Sequence, residues 1–100
     1  MNVSEDLGTT MILEGDRIRI WEHRVAPGAT GPMHLHRRPY FTVVVVGTSG
    51  DALDLEGNVS EHITFTPGAV LPAGEDSLPQ THALRNTGDH EILLITTELL

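Results

Sequence analysis

Turn-forming residues interrupt this chain so often that no long helix fits it. Ten glycines and six prolines are spread over 100 residues, and the apolar runs between them are short. No segment keeps a helical period over three turns. Alternation is what the runs do keep: Arg17 to Val25 switches between charged and apolar residues, as a half-buried strand would. Glycine and proline punctuate such runs because one admits unusual backbone angles and the other removes an N–H. Short strands divided by turns of this kind predict an all-β sandwich or small barrel.

The pattern can be followed along the chain. Ala26 to Pro32 breaks the first strand with two prolines and two glycines, and Met33 to His36 resumes an extended segment. Arg37 to Pro39 is a short polar break, since a residue before proline is pushed toward extended geometry. Tyr40 to Val46 is the strongest strand, rich in aromatic and β-branched residues. Its apolar run predicts burial on both faces, by the core and by a partner subunit. A turn at Gly47 to Gly50 leads to a short strand at Ala52 to Leu55. Glu56-Gly57-Asn58 then makes a tight hairpin into the alternating Val59 to Thr66. Pro67-Gly68 turns again, Leu71 to Gln80 reads as loop, Thr81 to Arg85 as strand, and His90 to Glu98 as the closing strand.

Size and charge narrow the function classes. A chain of 100 residues suits one domain with a modest core. The formal net charge is −8, so phosphate backbones and anionic membranes are poor partners, and no nucleic-acid or membrane role is expected. There is no cysteine, which removes thiol nucleophiles, disulfides and zinc–thiolate sites. Met1 to Asp6 lacks the basic and apolar regions of a signal peptide, and the longest apolar run is Val43 to Val46. The expectation is a cytoplasmic protein.

His34 and His36 carry the chemistry. Residues i and i+2 of a strand point to the same face, so these two imidazoles aim at one point and can chelate a metal. His82, on a distant strand, is the candidate third ligand. His23, His62 and His90 are expected to be exposed or locally hydrogen-bonded.

These residues resemble the cupin superfamily. Its first motif runs G-x5-H-x-H-x3-E-x6-G, and Gly28, His34, His36, Tyr40 and Gly47 fall at those spacings, with tyrosine in the glutamate's place. Its second, G-x5-P-x-G-x2-H-x3-N, is echoed by Gly68, Pro72, Gly74, His82 and Asn86. Only three residues separate Gly68 from Pro72, and seven separate Gly74 from His82, so Glu75 to Thr81 reads as an insertion near the site mouth. Trp21-Glu22, Ala26-Pro27-Gly28 and Asn86-Thr87-Gly88-Asp89 are similar to small single-domain cupins, some of them labelled as β-alanine degradation proteins.

The resemblance implies a cupin-type jelly-roll (double-stranded β-helix) barrel over residues 17–100. Residues 1–16 would then be an N-terminal segment available as a swapped or edge strand. It also implies a homodimer, with the Val43 to Val46 run at the interface, and His34, His36 and His82 as metal ligands. Without the glutamate, three neutral imidazoles leave the ion's charge in place. This suits a divalent transition metal (Fe, Zn, Ni, Cu, Co or Mn) better than Mg or Ca. Tyr40 either points inward, to hydrogen-bond a substrate or a metal-bound oxygen, or packs with its hydroxyl satisfied by backbone. Trp21, as core or pocket wall, Arg38, as substrate clamp or solvated surface charge, and Asn86 are the candidate pocket residues. The functions implied are a metal-dependent oxygenase, isomerase or lyase on a small organic acid or related oxygenated metabolite, or a small-ligand binding or sensor protein without turnover, metal-free in one version. A structural accessory subunit, whose pocket side chains would close, is the third.

Overall fold

The computed structural model describes residues 4–100, which fold as nine strands and one short 3-10 turn, with no α-helix among them. In chain order the strands are β1 Thr10–Glu14, β2 Ile18–Val25, β3 His34–His36, β4 Tyr40–Val46, β5 Ser49–Leu53, β6 Val59–Thr64, β7 Val70–Ala73, β8 Gln80–Asn86 and β9 Ile92–Leu99. They form two antiparallel sheets: one in the order β1-β2-β9-β4-β7, the other β3-β8-β5-β6. Val25, Val44, Ile92 and Leu94 from the first sheet meet Leu84 of the second, and Phe65 just beyond β6, in one buried cluster. Ile92 and Val44 are almost fully enclosed (0% and 1% exposed), and each such side chain contributes roughly 1.5–3 kcal/mol. No described helix is long and apolar enough to cross a membrane.

Alternation governs which side chains face inward. Along β2, Trp21, His23 and Val25 are buried, while Arg24 between them is exposed. Along β3 the two histidines are buried and Leu35 is only half-buried. Two segments depart from the sequence pattern for identifiable reasons. Val70–Ala73, expected as loop because of Pro72, is a strand at the edge of the five-stranded sheet, where a missing N–H is tolerated. The strand expected at Ala52 to Leu55 instead spans Ser49–Leu53. Asp54 leaves the ladder to accept the N–H groups of Glu56 and Asn58 on its Oδ1, which closes the hairpin.

The Val43 to Val46 run is not enclosed on both faces within this chain. The pairing of β4 with β9 skips a residue between Val44 and Val46, and Val45 and Val46 are 47% and 39% exposed. At the N-terminal end, residues 1–3 lie outside the described residues. Ser4 bridges His34, and β1 is the outer edge strand of its sheet, paired only with β2 and exposed along its length.

Candidate metal centre and its cavity

His34 and His82 are cross-strand partners on β3 and β8, and His36 lies two residues along β3. A single ladder therefore sets the spacing of all three rings, whose centroids stand 4.6–4.7 Å apart. One ligand-capable atom from each lies within 4.8 Å of the other two. His36 Nε2 and His82 Nε2 are 2.9 Å apart. Two nitrogens bound at right angles to one ion, at about 2.1 Å each, stand about 3 Å apart, so this contact suits a shared metal. His34 Nδ1–H donates to the Pro32 carbonyl at 3.1 Å, which leaves Nε2 as the lone-pair nitrogen, the tautomer a ligand needs.

Burial sets the charge of this centre. It pushes His36 down to about 2, helped by the nearby His34, His82 and His23, and His82 down to about 4, helped by His34 and His23. His34 is also lowered by burial, against the opposing pull of the Pro32 carbonyl. All three are neutral at pH 7 and offer lone pairs without first losing a proton. The donor set therefore fits a borderline transition metal, and among the described residues no carboxylate belongs to the cluster.

Above the histidines lies a cavity of about 520 Å³ between the two sheets. Tyr40 lines it, which favours the inward orientation. Its ring stacks on His36, with centroids 3.9 Å apart and planes 18° from parallel, and its hydroxyl donates to Gln80 Oε1 at 2.6 Å. Burial raises Tyr40 to about 12, so its phenol stays a neutral donor. Gln80 sits opposite His36 in the ladder, a placement visible only once β3 and β8 are paired. Ser77 and Thr81 also reach the wall, so the Glu75 to Thr81 insertion borders the cavity.

His23, expected to be exposed or locally bonded, is buried, lines the cavity and lies 6.0 Å from His34 ring to ring. Burial, then His34, lowers it to about 4, and neither of its ring nitrogens has a hydrogen-bond partner among the described residues. Its parity with the buried Trp21 and Val25 was the sequence signal for this position. His62 and His90 are exposed and bonded locally, to Asp51 and to Asp89.

The three candidate pocket residues sit elsewhere, and none lines the cavity. Trp21 is buried beneath the N-terminal segment, where its Cβ would lie 3.0 Å from a Cβ on Gly8. Arg38 is about half-exposed, with its guanidinium 4.0 Å from the Glu98 carboxylate. Asn86 ties the fold together: its Nδ2 donates to the Val25 and His90 carbonyls at 2.9 and 2.7 Å, and its Oδ1 accepts from Gly88 N–H at 2.9 Å. Asn86→Ala strands these buried groups and is expected to lower unfolding stability by about 3 kcal/mol in urea titrations, with the metal-binding stoichiometry unchanged.

Solved structures place this architecture. A cupin domain from Bordetella pertussis Tohama I matches with a TM-score of 0.77 at 22% identity, over 100% of this chain and 98% of that one. The chain has the cupin fold. An uncharacterised conserved protein with a double-stranded β-helix domain from Klebsiella pneumoniae matches at 0.66 and 19% identity, over 90% and 73% of the two chains. The polyketide cyclase RemF from Streptomyces resistomycificus matches at 0.60 and 20%, over 85% of this chain and 56% of that one. No protein-family model matches the chain, and no curated protein matches its sequence. These cupin neighbours carry the fold, not the narrower likeness to β-alanine degradation proteins.

Proposed function

We propose that this chain is a small metal-binding cupin in which His34, His36 and His82 hold one divalent transition metal (Fe, Zn, Ni, Cu, Co or Mn). It acts as a metal-dependent enzyme on a small organic acid or related oxygenated metabolite. The observation that carries the reading is the convergence of three neutral imidazoles from one ladder, with two Nε2 atoms 2.9 Å apart. When bound, such an ion supplies Lewis-acid polarisation of a substrate oxygen, or redox chemistry if it is iron or copper. The chain's own residues do the rest. Tyr40 holds the His36 ring in place by stacking, with its neutral phenol anchored by donating to Gln80 Oε1. The Pro32 carbonyl fixes the His34 tautomer, and the apolar walls exclude water. We place the protein in the cytoplasm as a homodimer, with the exposed Val45 and Val46 at the contact.

The 2.9 Å contact also favours one alternative, a ligand-binding or sensor protein without metal or turnover. In that reading one Nε2–H donates to the other Nε2 and the histidines form a polar floor. Metal content separates the two. Plasma mass spectrometry of protein purified without a His tag or nickel column should find about one equivalent of transition metal, lost in His34→Ala/His36→Ala. A metal-free protein that stays so after reconstitution decides for the alternative.

A further inference from the structure

The cavity wall is one-sided in charge. All six cationic side chains are arginines, and none of them lines the cavity. Five are engaged elsewhere: Arg19 and Arg38 beside Glu98, Arg24 with Glu22 and Glu91, Arg37 with Glu5, and Arg85 with Asp51. The sixth, Arg17, is exposed. Among the described residues, the charged groups that do line the wall are the carboxylates of Asp54 and Glu61.

The neutral polar groups are largely occupied. Tyr40 donates to Gln80, Thr42 and Thr96 bond each other at 2.9 Å, and Ser60 donates to the Ala52 carbonyl at 3.1 Å. Much of the remaining wall is hydrocarbon, from Leu7, Ile63, Phe65, Leu71, Leu84 and Leu94. A carboxylate or phosphate entering here would give up its hydration, find no guanidinium to pair with, and meet two like charges. An uncharged molecule with an apolar body loses little water and covers apolar wall.

We propose that the cavity takes an uncharged oxygenated molecule with an apolar body and selects against carboxylate and phosphate ligands. Between the two substrate types above, this decides for the oxygenated metabolite over the organic acid. The proposal rests on the metal reading only for the end of the ligand that meets His34, His36 and His82. The walls alone carry the selection by charge.

Matched probes test it. Benzamide, benzyl alcohol and acetophenone are neutral; benzoate and phenyl phosphate are of similar size and anionic. Binding is measured by calorimetry on the protein as purified and after chelator treatment, with metal content determined on both samples. Methyl resonances of Leu84 and Leu94 report where the probe sits. At low salt, at least one neutral probe is expected to bind about tenfold tighter than benzoate and to move those methyls. Asp54→Asn/Glu61→Gln, in which the asparagine's Oδ1 can still accept the Glu56 and Asn58 N–H groups, should raise benzoate affinity several-fold relative to the neutral probes.

Benzoate or phenyl phosphate binding as tightly as the neutral probes in the chelator-treated protein overturns the proposal. So does failure of all three neutral probes at millimolar concentration, or binding that leaves both leucines unmoved. A sample that holds no metal yet prefers the neutral probes upholds the selection and sinks the metal reading. A metal-loaded sample whose chelator-treated form prefers the anions does the reverse.

Discussion

Metal-free protein is expected to lose much of its stability as the pH falls from about 6.5 toward about 4. The cause is the set of buried imidazoles. Their ordinary value is 6.5, and burial brings His23 and His82 down to about 4 and His36 down to about 2 in the folded chain. Between those values the unfolded chain takes up protons that the folded chain refuses. The contribution of each group is therefore fully present above 6.5 and is lost as pH falls toward its folded value. Each removes up to about 1.4 kcal/mol per pH unit, and a domain of this size has only about 5–15 kcal/mol to lose. His90 works in the opposite direction, raised by the Gly47 carbonyl and Asp89, but it is solvent-exposed and its share is small. Urea midpoints measured across this range give the slope directly. A flat profile would show that the histidines are hydrated or paired in the folded state. Saturating metal should raise the midpoint at pH 7 and release on acidification, because protons and the ion compete for the same nitrogens.

Gly47→Ala is expected to cost about 4 kcal/mol or more and to leave little folded protein at 37 °C. A Cβ at this position would stand 1.9 Å from the Phe65 carbonyl oxygen, 2.7 Å from its carbon and 2.8 Å from Val44 Cγ1. None of these can yield cheaply. Phe65 is buried and its N–H donates to the Thr48 carbonyl at 2.8 Å, while Val44 is in the core. Gly57→Ala is the matched control. It asks for a left-handed backbone (φ +85), which Gly47 does not, but nothing lies within 4 Å of the added methyl, so it should cost only about 1–2 kcal/mol. Equal losses in the two variants, from chemical denaturation, would show that the β4–β6 approach has slack that the distances deny.

That contrast also explains what could be read from the residues alone. The terminal glycine of the first motif was legible as a position, and the structure supplies the reason: two backbones touch there. The His34–His36 pair was legible because period two needs no tertiary knowledge, and His82 because it closes the second motif. His23 was legible by the same period, since it shares parity with Trp21 and Val25, yet it was grouped with the exposed or locally bonded histidines; one face of β2 is salt-bridged and the other is core. Gln80 was not legible, since its place beside Tyr40 depends on a pairing between segments more than forty residues apart. Asn86 was found for a different reason from the one that applies. Sequence marks the position, and only the three hydrogen bonds show that it holds loops together. Pro72 misled because proline argues against a central strand but says nothing against an edge.

The three candidate ligands share one sheet, while Tyr40, Thr42 and Thr96 stand on the other. The spacing of the donors is thus a property of the β3–β8 ladder, and the room above them is a property of the gap between sheets. A shift of one sheet against the other would change the cavity's width while the ladder kept the three rings in register, and it would be felt first where the Tyr40 ring stacks on His36 across the gap. That stacked pair is the joint between the two sheets, the one place where the width of the chamber is tied to the orientation of a histidine in the cluster.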